Sequence, residues 1–293
     1  MTVLSTDVTP LDAAETVDDR IAAAKGRVEA CLAALVPTAD TWPRALHEAQ
    51  RHALLSPGKR FRPLLTIFLA EGCGAGPSAR EASVEVGCVT EMVHAASLIL
   101  DDLPCMDDAD LRRNQPTTHI AFGVLARNAA LSANQRVELS DLLSYAVGST
   151  GLIAGQMADL DNSGEASVSE VERVNRLKTG ALFDFAADAA AILAESPAAQ
   201  RAALKDFSRQ IGLAFQLLDD VKDVLQSHLE SGKSSGRDAG KTTLLAKDGL
   251  TETKARLEGY MDTARLALSR AGLSDADTLN AVIARQFAFL DAI

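Results

Sequence analysis

The sequence has few cysteines and none in a metal-binding pattern. The four stand at 31, 73, 88 and 105, with no C-x-x-C pair and no histidine-rich tract beside them. That excludes a zinc-finger or disulfide-stapled domain and reads as reduced thiols in a cytoplasm. Proline is sparse too: nine residues, scattered, so a Pro-rich linker or collagen-like chain is excluded. Basic charge is in deficit, with 29 Lys and Arg against 40 Asp and Glu and a formal net charge of −11. Duplex nucleic acid or an anionic membrane surface is therefore not the expected main partner. Long apolar runs are missing. The least charged stretch, Leu142 to Ala158, is interrupted by Gly148-Ser149-Thr150-Gly151, too polar and too short to span a membrane. The first twenty residues carry Asp7, Asp12, Glu15, Asp18 and Asp19 and no apolar core of a signal peptide. There is no short repeat and no linker, so a single domain over 1–293 is expected.

What is present is helical. Ala, Leu, Glu, Arg and Lys are abundant, and few segments alternate with period two. Apolar spacing predicts helices over Leu11–Leu35, Trp42–Leu55, a segment opening near Pro63, Ala79–Leu100, 134–160, 168–195, 198–227, 251–270 and 276–290. Ser56-Pro57-Gly58, Gly72–Ser78, Asn162–Ser167 and His228–Gly240 read as turns or loops. The fold class is all-α, a single helical domain.

Two aspartate clusters stand out. Asp101-Asp102-Leu103-Pro104-Cys105-Met106-Asp107-Asp108 follows the apolar run Ala95–Leu100, and Asp219-Asp220-Val221-Lys222-Asp223 follows Ile211–Leu218. Asp219 and Asp223 are i and i+4, so their carboxylates share one helix face about one turn apart. Like charges at that spacing repel, and a cation is the usual reason to keep them. Oxygen-only ligands select a hard ion such as Mg²⁺, which shares its shell with phosphate. Pro104 must disturb the first helix, which lets Asp107 swing toward the face of Asp101. A single acidic cluster at a helix end is often only a solvated face. Two clusters, each behind a buried run, point to a cavity.

Cations that would complete a phosphate site are also present. Gly58-Lys59-Arg60-Phe61-Arg62-Pro63 offers three in four positions ahead of a helix. Arg112 and Arg113 trail the first cluster, Lys178-Thr179-Gly180 lies in a helical run, and Lys233 and Lys241 sit in the loop after the second cluster. His94 is seven residues before Asp101 on the same face. Gly236–Thr242 has three residues between its glycines where a P-loop has four, and no strand precedes it, so a nucleotide loop is rejected.

On GKRFRP (58–63), DDLPCMD with DADLRRNQPTTH (101–119), KTGALF (178–183), FQLLDDVKD (215–223) and GRDAGKTTL (236–244), the sequence resembles the trans-prenyl diphosphate synthases, in particular bacterial geranylgeranyl and farnesyl diphosphate synthases. The resemblance implies an antiparallel helical bundle around a deep central cavity, usually dimeric. It implies a Mg²⁺-dependent condensation of isopentenyl diphosphate with dimethylallyl, geranyl or farnesyl diphosphate. About three Mg²⁺ ions would bridge aspartates and diphosphate, held by Asp101, Asp102, Asp107, Asp219, Asp220 and Asp223. Lys59, Arg62, His94 and Arg113 would bind isopentenyl diphosphate. Arg112, Lys178, Thr179, Gln216, Lys233 and Lys241 would bind the allylic diphosphate, with Lys178 also counted as catalytic. The small Ala96 and Ser97, one turn before Asp101, would leave room for a product longer than farnesyl, namely C20. Farnesyl synthesis, a non-catalytic regulatory subunit and a class I terpene cyclase are the competing readings. The second Asp-Asp-x-x-Asp and the set at 59–62 argue against the cyclase. One departure from the family stands out: after Phe122-Gly123, where a further helix normally begins, Val124-Leu125-Ala126-Arg127-Asn128 follows at once, and about 20 residues, near six helical turns, are missing.

Overall fold

The computed structural model describes residues 15–101, 118–160, 166–230 and 244–289, with the backbone alone at 99–101, 118–119 and 223–230. Among the described residues every regular element is helical. Helix α1 (Val17–Leu35) starts where Thr16 caps it: the Thr16 hydroxyl accepts from the Asp19 amide, and the Asp19 carboxylate accepts from the Thr16 amide. That reciprocal box satisfies two orphan donors and fixes the start. The sequence reading opens this helix at Leu11; residues 11–14 lie outside the described residues, and the described helix starts at Val17. Ile21, Ala24, Val28 and Leu32 form its buried stripe.

Helix α2 (Arg44–Leu55) leads into the Ser56–Lys59 turn, and α3 (Phe61–Gly72) follows. Nearly every side chain of α3 is buried, as in α9 (Ala181–Leu193), so these two apolar helices form the centre of the bundle. Around them stand α4 (Pro77–Asp101), α5 (Thr118–Arg127), α6 (Ala133–Val147) and α10 (Ala198–Glu230). Helix α9 packs on α3, α4, α6 and α10 together. Helices α3 and α4 close tightly at Gly87, where a Cβ would lie 3.1 Å from the Pro63 backbone. The last pair, α11 (Leu244–Ala271) and α12 (Asp277–Phe287), completes the outer layer. Helices α10 and α11 run antiparallel: Asp206 near the start of one pairs with Arg270 near the end of the other.

Four sequence expectations change. The 134–160 helix is two, α6 and α7 (Leu152–Leu160), because the chain folds back on the end of α6 at Gly148–Gly151. A Cβ at Gly151 would sit 2.3 Å from the Ala146 carbonyl, which only glycine allows. The 168–195 segment is α8 (Val168–Asn175), a π-helical turn (Arg176–Gly180) and α9. Helix α11 begins at Leu244 and kinks at Gly249, whose φ is 78°. Helix α5 was not foreseen. It passes without a break through Gly123, the point after which the resemblance leads one to expect a further helix, and runs into α6 through residues 128–132. The short junction is self-contained: the Asn128 amide donates to Glu85 and its carbonyl accepts from the Ala130 amide, while Ser132 and Gln135 cap α6.

Candidate active site

Three sequence motifs meet at one end of α3. Each contributes a phenylalanine: Phe61 from α3, Phe183 from α9 and Phe215 from α10, with ring centroids 5.2–6.1 Å apart. Such offset and edge contacts add stability beyond area burial. The rings carry a charge between them. The Arg62 guanidinium lies 4.8 Å from the Phe183 centroid and 5.1 Å from that of Phe215. Burial lowers its pKa from the ordinary arginine value, against the pull of Glu91 and Asp219. Its Nε is buried and has no hydrogen-bond partner among the described residues. A buried cation with a free donor is costly until an anion reaches it.

Beside it is a cavity of about 280 Å³, walled by Ser56, Gly58, Lys59, Arg62, Glu91 and His94, with Leu98 and Phe215 as apolar sides. Lys59, Arg62 and His94 thus line one cavity. Arg60, in the same motif, is not available. It occupies a left-handed conformation (φ 53°), which costs a non-glycine residue about 1–2 kcal/mol, and its side chain turns inward to Glu29, Glu91 and the carbonyls of Leu54 and Ser56. Of the three expected phosphate cations, one is exposed, one is spent on the fold and one is sandwiched by rings.

The second aspartate cluster adjoins this cavity. Water reaches Asp219, yet surrounding protein crowds it, and this desolvation pushes its carboxyl above the usual range while Lys222, Arg62 and Lys59 pull it back. Asp220 is held from behind. The Thr179 hydroxyl donates to Gln216 Oε1 at 2.5 Å, and Gln216 Nε2 donates to Asp220 Oδ1 at 2.9 Å. Asp223 follows on the same helix, one turn beyond Asp219. Among the described residues no three His, Cys, Asp or Glu side chains gather closely enough to hold a metal unaided. A carboxylate pair that leaves the rest of the shell to water and phosphate suits Mg²⁺.

Lys178 and Thr179 stand on the π-helical turn, a local widening common at functional sites. Two glycines let helices close on it: a Cβ at Gly155 of α7 would lie 2.2 Å from the Lys178 amide nitrogen, and one at Gly212 of α10 would lie 3.1 Å from Gly180 Cα. Lys178 Nζ donates to Asp159 Oδ2 of α7 at 2.7 Å. Asp159 was not anticipated. The Gly155-Gln156-x-x-Asp159 pattern could have flagged it, had the helix break before it been recognised. Asp101 is the last residue of α4, with Ala96 buried and Ser97 half-buried one turn earlier; the Ser97 hydroxyl donates to the His94 carbonyl. Asp102, Asp107, Arg112, Arg113, Lys233 and Lys241 lie outside the described residues.

The polyprenyl synthetase family model matches residues 43–266, which includes every element of this site. The chain belongs to the polyprenyl synthetase family. Among its relatives, a geranylgeranyl diphosphate synthase of Pseudescherichia vulneris is 37% identical over 254 residues, covering 80% of each chain. Geranylgeranyl pyrophosphate synthase 11 of Arabidopsis thaliana is 38% identical over 252 residues, covering 78% of this chain and 69% of its own. An FPP/GFPP synthase of Zymomonas mobilis superposes with a TM-score of 0.76 at 31% identity, over 91% of this chain and 97% of the other. A Helicobacter pylori geranyltransferase complexed with magnesium and isoprenyl diphosphate gives 0.76 at 25% identity, over 96% and 100%. The all-α isoprenoid synthase fold of these polyprenyl synthetase relatives is the fold found here. No described helix is long and apolar enough to cross a membrane.

Proposed function

We propose that this protein is a trans-prenyltransferase that joins isopentenyl diphosphate to an allylic diphosphate and makes geranylgeranyl diphosphate. The observation that carries the reading is the unpartnered Nε of Arg62, buried beside Lys59 and His94 in a cavity that adjoins Asp219. A diphosphate supplies the anion that this guanidinium lacks. The similarity to geranylgeranyl synthases supports the product class, and the small residues at 96 and 97 support the C20 length.

Lys59, Arg62, His94 and Arg113 take isopentenyl diphosphate. Arg112, Lys178, Thr179, Gln216, Lys233 and Lys241 take the allylic partner. Asp101, Asp102, Asp107, Asp219, Asp220 and Asp223 would hold Mg²⁺, about three ions in all, and the crowded, part-desolvated Asp219 fits a carboxylate awaiting a cation. Bound there, Mg²⁺ supplies the charge neutralisation that lets an allylic diphosphate depart. The chain's own part is to hold two anions close, orient the isopentenyl double bond and exclude water. Among the described residues no side chain stands out as the base for the final proton, and the released diphosphate would take it. The large apolar side chains Val137 and Tyr145 on α6 and Ile153 and Met157 on α7 are exposed and support a homodimer.

Incubating the purified chain with isopentenyl diphosphate, farnesyl diphosphate and Mg²⁺ and reading products by mass spectrometry tests this. The expected product is C20. Absence of any condensation overturns the activity, and C15 as the sole product from geranyl diphosphate overturns the chain length.

A further inference from the structure

Arg60 makes five hydrogen bonds inside the protein. Nε donates to Glu29 Oε1 at 2.8 Å and Nη2 to Glu29 Oε2 at 3.1 Å, a two-pronged grip on α1. Nη1 donates to Glu91 on α4 at 3.1 Å. Nη2 also reaches the Leu54 carbonyl at 3.2 Å and the Ser56 carbonyl at 2.7 Å, at the end of α2. One side chain therefore ties α1, α4 and the end of α2 to the first residue before α3. Arg60 shares the cavity wall with Lys59 and Arg62, on either side of it in the same motif, but its own donors are turned to protein acceptors. The cavity turn also passes close to this guanidinium at Gly58, where a Cβ would lie 3.2 Å from Arg60 Nη1.

The arrangement acts on charge as well as on shape. Glu91 also lines the cavity, and a free carboxylate there would repel a diphosphate. Arg60 neutralises it from behind. Glu29 is different: it belongs to α1 and is not part of the cavity wall, and its link to the cavity runs through Arg60.

We propose that Arg60 is a positioning residue for the isopentenyl diphosphate half of the reaction and that Glu29, outside the pocket, is its anchor. The inference rests on the assignment of this cavity to isopentenyl diphosphate made above. Lysine cannot replace the forked grip, because an ammonium is a point charge without planar geometry.

The test is a steady-state series with both substrates varied, together with calorimetric binding of isopentenyl diphosphate. Arg60→Lys raises KM for isopentenyl diphosphate about tenfold or more, with the allylic KM within about twofold. Glu29→Gln gives the same selective change at a smaller size, about threefold to fivefold. In the double variant the two effects do not add, since both act through one contact. If Arg60→Lys does not fold, Glu29→Gln alone decides. A lower melting temperature with both KM values unchanged overturns the proposal, and so does an equal rise in both. A wild-type chain that binds isopentenyl diphosphate but forms no product overturns the activity assigned above. In that case the same binding series still decides the role of Arg60: weaker binding in both variants upholds it, and unchanged binding overturns it.

Discussion

Thr179 and Gln216, thirty-seven residues apart, share a hydrogen bond of 2.5 Å that joins the π-helical turn to α10. Gln216 passes the contact on to Asp220 one turn later. The Lys178-Thr179 motif is thus joined to the acidic motif through one amide, and that amide fixes which way Asp220, proposed above to hold Mg²⁺, faces. Outer partners of metal ligands typically matter by about 10–100-fold. Gln216→Leu should lower turnover by that order and raise the Mg²⁺ concentration needed for half-maximal rate, with the helical CD spectrum unchanged. Activity measured across a magnesium titration checks it. An unchanged magnesium requirement would sink the idea that Gln216 orients Asp220.

A second expectation concerns the buried guanidinium. Arg62 lies against two aromatic rings with its Nε unpartnered among the described residues, so on the proposed reading its loss should be felt by one substrate more than the other. Removing a hydrogen bond to a charged group costs about 1.5–3 kcal/mol, which corresponds to a rise of roughly tenfold or more in KM for isopentenyl diphosphate. Arg62→Gln is the variant of choice, because it keeps some polarity between the rings. If only the allylic KM moved, the two diphosphate sites would be exchanged.

The bundle was legible in the sequence because its helices are long and strongly striped. The site motifs were legible because charge next to a buried run needs an explanation. Contacts between motifs were not. Lys59, Arg60 and Arg62 look alike on paper, and sequence alone does not tell that Arg60, in its left-handed turn, spends its donors on Glu29, Glu91 and backbone carbonyls while Arg62 keeps its Nε unpartnered among the described residues. Phe61, Phe183 and Phe215 each sit inside a recognisable motif, but helical spacing cannot tell that three distant phenylalanines enclose one arginine. Asp159 stayed hidden for a local reason. The Gly148–Gly151 break changes the helix phase, and a single helix over 134–160 would have pointed Asp159 elsewhere.

Stability should depend on pH through Asp184. Burial pushes its carboxyl above the usual carboxylate range, opposed by the Ser208 hydroxyl, which donates at 2.5 Å, and by Arg176, Lys205 and Arg209. A group whose folded pKa is raised favours the fold most in its neutral form. That contribution is complete below the unfolded aspartate value of about 4 and is lost as pH rises through the higher folded value. Asp184→Asn keeps an acceptor for Ser208 and cannot ionise. Its melting temperature should exceed that of the wild type at pH 8, and the gap should close toward pH 4. Thermal melts at both values check this. A gap that widens on acidification would reverse the sign and refute the argument.

The length of the product should be set on α4. On the proposed reading, a growing isoprenoid tail that starts at the Asp101 cluster would run back along this helix, and the first side chains it would meet one turn earlier are Ala96 and Ser97. Ala96 is buried, so a larger side chain there has to project into space shared with other side chains or with the tail. Ser97 is held by its own helix, its hydroxyl donating to the His94 carbonyl at 2.9 Å, and so presents little bulk. A ring at position 96 would fill the volume that the fourth isoprene unit needs. Ala96→Tyr or Ala96→Phe should therefore move the main product from C20 to C15. Overpacking a tight site costs about 1–3 kcal/mol, so a lower melting temperature is expected alongside. Ala96→Leu, with less bulk, separates the two effects: it should give a mixture of C15 and C20 at a smaller stability loss. Product analysis by mass spectrometry reads the outcome directly. An unchanged C20 product from a folded Ala96→Tyr chain would place the floor of the cavity elsewhere than on this turn of α4.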